Sequence, residues 1–164
     1  PSWPLFRLNV SCYDILMGVR QAEIAESDIS ADGYRVLAEF RFRIREFLHF
    51  SEESARRQGI EPQQHQLLLA LKGLPHHSRP TVSVLALRLC IRHHSAVELI
   101  NRLAERGAVV RRSSEEDRRE VLVEITPKGE KLLEALSRLH WQELETSAPG
   151  LAKALDAVMK HGAH

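Results

Sequence analysis

Between Ser30 and Arg57 the apolar residues Leu37, Phe40, Ile44, Phe47, Leu48 and Ala55 recur at three- and four-residue steps, with Arg and Glu between them. That period predicts an amphipathic helix of about 27 residues, about 40 Å long. Such a helix is longer than a small domain needs, so it is expected to pack against something outside its own fold. Gly59 and Pro62 in "GIEP" end it, because both residues punctuate regular structure. A short helix follows over Gln63–Leu71, closed by "KGLP", and Thr81 can cap a third over Val82–Leu89. After the tight link "CIR", the stretch "HHSAVELINRLAER" predicts a fourth helix with Gly107 as its C′ residue. Two short helices joined so closely have the pattern of a helix-turn-helix.

The pattern then changes period. "AVVRR" and "EVLVEIT" are β-branched runs that predict two strands, and the charged knot "EEDRRE" between them becomes a hairpin tip. Thr126 and Pro127 open another helix as N-cap and first helical residue, with Leu132, Leu133, Leu136, Leu139 and Leu144 as its stripe. A last helix is predicted from Pro149 to about Lys160, with Leu151, Ala154, Leu155 and Val158 on one side. No internal repeat or low-complexity tract interrupts the chain. On the third helix Val84, Leu87 and Ile91 form a second apolar face, for which the N-terminal residues Trp3, Leu5, Phe6 and Leu8 are a candidate cover.

A chain of 164 residues, 43% hydrophobic and 27% charged, suits one soluble globular domain. No apolar run reaches the roughly 20 residues of a membrane span. The opening stretch lacks the basic region of a signal peptide, and Met17 is an alternative start. Cys12 and Cys90 show no metal or redox spacing, which predicts reduced thiols in a cytoplasmic protein. Cys90 reads as a buried small hydrophobe, and Cys12 as redox-active only beside a basic group.

The net charge of +1 conceals an uneven distribution. From His76 to Arg112 there are seven arginines and four histidines against Glu98 and Glu105; from Ser113 to Glu145 nine acids face five bases. A locally basic window predicts contact with a polyanion. On the fourth helix Ala96, Leu99, Ile100 and Leu103 share one face, while His94, Ser95, Glu98, Asn101, Arg102 and Glu105 share the other, with His93 at the N-terminus. Side chains of this kind read base edges from the major groove, and a helix N-terminus meets phosphates. In the hairpin tip Arg118 and Arg119 are the DNA-binding candidates, one of them directed into the narrow minor groove. Asp117 is assigned to shaping the wing, or to pairing with a base such as Arg102.

The segment "ELINRLAERGAVVRRSSEEDRREVLVEITPKGEKLL" closely resembles the MarR family of winged-helix transcriptional regulators. The matching features are an apolar recognition helix ending in Arg-Gly, a Val-x-Arg strand, the Asp117–Arg119 wing and the Thr-x-x-Gly element at Thr126–Gly129. The "RHHS" start of the recognition helix departs from the small or hydroxyl residues usual there, which bears on the operator sequence. The resemblance implies a mainly α fold with a small β-hairpin wing, a winged helix-turn-helix joined to a helical dimerisation module. Residues 62–126 would form the DNA-binding part, 30–61 and 127–164 the dimerisation helices, and 1–29 an unassigned extension within a chain whose remainder is one domain. It further implies a homodimer on a pseudo-palindromic double-stranded DNA operator, and a repressor released by a small, often aromatic ligand.

In relatives the ligand lies where the long first helix meets the DNA-binding part. Phe42, Arg45 and His49 share one face of that helix, and a ring, a fixed cation and an imidazole suit an aromatic acid. Through Leu37, Ile44, Leu136 and Leu155 the helical module is expected to form its dimer. The pairs His76–His77 and His93–His94 lack the further ligands a zinc site needs, so neither metal nor cofactor is expected. No catalytic motif occurs, so the chain is not read as an enzyme. The rival reading is a winged helix used for protein–protein contact without DNA, against which the basic window argues.

Overall fold

The computed structural model describes residues 29–113 and 120–161. Helix α1 spans Ala31–Arg57, α2 Pro62–Lys72, α3 Val82–Arg88 and α4 His93–Glu105; strands β1 (Val109–Ser113) and β2 (Val121–Ile125) precede α5, Pro127–His161. The hairpin tip, with Asp117, Arg118 and Arg119, lies outside the described residues, as do residues 1–28.

Local chemistry accounts for most boundaries. Ser30 Oγ accepts the Gly33 N–H of α1 at 3.1 Å, and Thr81 Oγ1 accepts that of Val84 at 3.2 Å in α3; each satisfies a donor that the first helical turn cannot. Glu61 and Gln64 form a reciprocal capping box on α2. Three helices end in the same paired bonds. After α1, Ile60 N–H bonds Ala55 O and Gly59 N–H bonds Arg56 O; after α4, Ala108 bonds Leu103 and Gly107 bonds Ala104. Gly59 and Gly107 take positive φ there, 76° and 69°. After α3 the bonds run from Ile91 to Ala86 and from Cys90 to Leu87, with Cys90 in the left-handed position at φ 53°.

Helices α1 and α5 run antiparallel: Gly33 meets His161, Gly150 faces Arg43, and Phe47 and Phe50 meet His140. The main core lies below them, where Leu67, Leu68, Leu85, Ile100, Leu103, Val109, Val123 and Leu136 are fully buried. The hairpin is antiparallel with Val109 opposite Ile125 and Ser113 opposite Val121. A bridge between Thr81 and Leu122, with Val123 N–H donating to Pro80 O at 2.9 Å, fastens it to the start of α3.

Three expectations are corrected. The break at Pro149 is absent, and α5 is one helix of 35 residues. Proline removes the bond to the carbonyl four residues earlier, but Glu145 is exposed, so water can serve that carbonyl while α1 supports the opposite side. Leu136 is wholly buried within the protomer, because α5 turns this position onto the α2 core; it is a core residue, not an interface one. Cys90 is exposed and disulfide-bonded rather than a buried thiol, because its left-handed turn directs it out of the helix pair. Val84, Leu87 and Ile91, the second apolar face of α3, are half-buried.

Candidate nucleic-acid interface

Helix α4 is held by its buried face, Ala96, Leu99, Ile100 and Leu103. At 100° per residue this directs His94, Glu98, Asn101 and Glu105 away from the core, with His94, Glu98 and Glu105 exposed and Asn101 half-buried. Ser95 and Arg102 lie on one flank. Arg102 borders a cleft of about 390 Å³ with Glu52, Arg56 and Glu61, so it sits at the edge of the outward face and not at its centre. His93 is exposed at the N-terminus. The N-cap Arg92 makes no side-chain capping bond, leaving the first-turn N–H groups directed outward and open to an anion.

The α4–β1 turn is fixed from the far side by α5. Thr126 Oγ1 donates to Gly107 O at 2.7 Å and accepts the Gly129 N–H at 3.1 Å, while Lys128 Nζ donates to Arg106 O at 2.6 Å. A β-carbon on Gly129 would collide with the Ala108 carbonyl and lie 2.9 Å from Ile125 Cγ1, so only glycine permits this crossing. Thr126–Gly129 thus sets the angle between recognition helix and wing.

Sequence reasoning counted Arg111 only as charge, yet it joins the two elements. Arg111 Nη1 on β1 donates to Asn101 Oδ1 on α4 at 2.7 Å, leaving the Asn101 amide N–H₂ to donate elsewhere. Arg112 pairs with Glu124 across the hairpin at 2.7 Å, and Arg79 pairs with Glu120 at 2.7 Å, tying the wing's base to the loop before α3. No alternation along β1 marks Arg111, since Val109 is buried and every strand residue after it is exposed.

Phe42, Arg45 and His49 are all exposed on the face of α1 turned from α5, and Arg43 lies over the Phe42 ring at 5.5 Å. The described cavities are lined by other residues. What occupies the junction of α1, α2 and α5 is a buried histidine pair, His65 and His140, with ring centroids 4.7 Å apart. His65 Nδ1 and Nε2 and His140 Nε2 have no hydrogen-bond partner. Burial, reinforced by His140, lowers the His65 pKa to about 4; burial lowers that of His140 as well. The sequence signal was that each continues an apolar stripe, His65 with Leu68 and Leu71, His140 with Leu133 and Leu136. Among the described residues no group of three or more His, Cys, Asp or Glu could hold a metal ion.

A helix-turn-helix followed by an antiparallel wing, with a polar outward helix face joined to the wing's base, defines a winged-helix DNA-binding regulator. The MarR family model matches residues 58–120. A protein of Thauera aromatica assigned as a transcriptional regulatory protein for the hcr operon is 28% identical over 117 residues, covering 71% of this chain and 67% of its own. A MarR family transcription regulator superposes with a TM-score of 0.65 at 21% identity, covering 79% of this chain and 85% of its own. MepR of Staphylococcus aureus, solved as a DNA complex, gives 0.62 at 20% identity over 76% and 90% of the two chains. BpsR of Bordetella bronchiseptica, whose DNA binding is regulated by 6-hydroxynicotinic acid, gives 0.59 at 19% over 79% and 99%. Over the helix-turn-helix and the wing the chain is similar to the MarR family of transcriptional regulators.

Proposed function

We propose that the protein binds a pseudo-palindromic DNA operator as a homodimer in the cytoplasm and acts as a repressor released by a small aromatic acid. The observation that carries the DNA-binding mode is the Arg111–Asn101 bond, which joins the base-reading face of α4 to the wing. In this reading His93, His94, Ser95 and Asn101 face the major groove and its phosphates. Arg102 meets the backbone at the flank, Arg118 and Arg119 meet the minor groove, and Asp117 shapes the tip. No catalytic step is assigned to the chain. Among the described residues no helix is long and apolar enough to cross a membrane.

The division of labour follows the packing. Residues 62–126 carry DNA contact, and 30–61 with 127–164 pair two protomers. Support for pairing comes from Ile29, Tyr34, Leu37, Leu155 and Met159, all exposed and gathered where the start of α1 meets the end of α5. A second copy would cover them, and two-fold symmetry would set two α4 helices about one DNA turn apart. For the ligand, Phe42, Arg45 and His49 remain the candidates, and their exposure in one protomer requires the second protomer to complete the site. BpsR, with its aromatic acid, supports the ligand class.

The test is anisotropy of labelled random duplex DNA against salt, followed by sequencing of DNA recovered with the purified protein. Steep salt dependence and a two-fold-symmetric recovered motif are expected. Failure to bind duplex at low salt would overturn the reading.

A further inference from the structure

Residues 62–126 join the two long helices at two hinges, the end of α1 at Gly59 and the start of α5 at Thr126. Both hinges converge on Arg106, the C-cap of α4. Its side chain donates from Nη1 to the Gly59 carbonyl, 47 residues away along the chain. Its own carbonyl accepts from Lys128 Nζ, on the first turn of α5, at 2.6 Å. Gly59 takes a positive φ of 76° to close α1. Among the described residues no backbone N–H donates to its carbonyl, which leaves Arg106 as the partner.

Elsewhere α1 and α4 face each other across the cleft of about 390 Å³, with Glu52 and Arg56 on one wall and Leu99 and Arg102 on the other. Arg56 turns back onto Glu52 and Glu53 of its own helix, at 3.1 and 2.9 Å, and so does not span the gap. Among the described residues no other hydrogen bond or ion pair joins the ends of these two helices. The apolar core beneath is non-directional and tolerates small rotations, whereas a hydrogen bond at each hinge fixes a direction. Arg106 and Gly59 are both exposed, so their bond adds little to stability. Its consequence is geometric.

We propose that Arg106 is a positioning residue that fixes the angle between α4 and the dimerisation helices, and so sets the half-site spacing that the homodimer accepts. The inference rests on the DNA-binding and dimer reading above. In a two-fold dimer the two α4 helices reach half-sites about 34–36 Å apart. One base pair more or less moves a half-site by about 3.4 Å along the axis and rotates it by about 34°. A recognition helix free to pivot on its hinges follows that displacement. One tied at both hinges does not. Arg106 closes α4 at the end opposite the base-reading turn of His93, His94 and Ser95, so it selects the spacing of an operator without touching a base.

The experiment uses the full chain and duplexes carrying two copies of the half-site recovered with the wild type, their spacer varied one base pair at a time. The wild type should prefer one spacer about tenfold over its neighbours, and Arg106→Ala only about twofold. The half-site motif, the salt slope and the urea midpoint should stay at their wild-type values. Arg106→Lys, which keeps a donor on a long side chain, should restore part of the preference. Lys128→Ala loosens the other hinge and should broaden spacing as Arg106→Ala does; it carries the comparison if Arg106→Ala lowers the urea midpoint. Without DNA, hydrogen exchange should quicken at Gly59 and Ile60 in Arg106→Ala. A spacer preference as sharp in the variants as in the wild type overturns the proposal. So does a salt slope lowered by about 1 with the preference kept, which would make Arg106 a phosphate contact. A wild type that binds no duplex fails the DNA-binding reading and takes this inference with it, whereas sharp spacing in every protein fails this inference alone.

Discussion

Arg111 Nη1 and Asn101 Oδ1 lie 2.7 Å apart, so the residue best placed to read a base is oriented by the strand that leads into the wing. A half-buried amide held this way presents its N–H₂ donor outward, which suits an acceptor on a base edge. Arg111→Ala should therefore relax sequence preference as well as weaken affinity, with a loss of about 1–3 kcal/mol of discrimination at the position Asn101 reads. Asn101→Ala should relax the same position. Selection from a random duplex library gives the readout; a wild-type motif from both variants removes the pair from base reading.

Arg119 is expected to supply the wing's main DNA contact. Arg119→Ala should weaken binding to specific and random DNA alike and reduce the salt slope by about 1. An unaltered slope in a salt titration would leave the wing without this role.

Acid should destabilise the fold through His65. Its folded pKa is about 4 against an ordinary 6.5, so between those values the unfolded chain binds a proton that the folded chain refuses. Stability is then full above about pH 6.5 and falls as pH drops toward 4, by up to about 3 kcal/mol at this site. His65→Leu removes both unpartnered nitrogens and should flatten that fall. Urea unfolding at pH 7.0 and 5.0 decides it, and parallel losses in the two proteins would exclude His65 as the cause.

Gly129→Ala should cost about 1–3 kcal/mol through the clash with the Ala108 carbonyl. The α4–β1 turn would have to shift, so DNA affinity should fall further than that of an equally destabilised core variant such as Leu136→Ala. Equal DNA affinity at matched stability would show that the crossing does not set the wing's angle.

Arg45→Ala should abolish release of DNA by a salicylate-type compound while leaving ligand-free DNA binding intact, because a ligand shifts an equilibrium only through differential affinity for the two states. Release curves by anisotropy that superimpose for the two proteins would take Arg45 out of the site.

What could be read along the chain was whatever local physics decides. The helical periods, the Thr81 and Thr126 caps, the Gly59 and Gly107 stops and the two strands each depend on residues within about one turn of one another. The buried stripe of α4 and its polar opposite face followed from the same period. The burial of His65 against His140, the Asn101–Arg111 bond and the continuity of α5 through Pro149 did not. Each depends on which face a distant element covers, and the period that marks a face is silent about its partner. His65 shares a stripe with Leu68 and Leu71 in "QQHQLLLAL", but the ring that packs on it comes only with α5. Proline reads as a break until α1 supports the helix on one side and solvent serves the freed carbonyl on the other. Tertiary packing decided these points because desolvation and pairing belong to the contact between elements and not to either element alone.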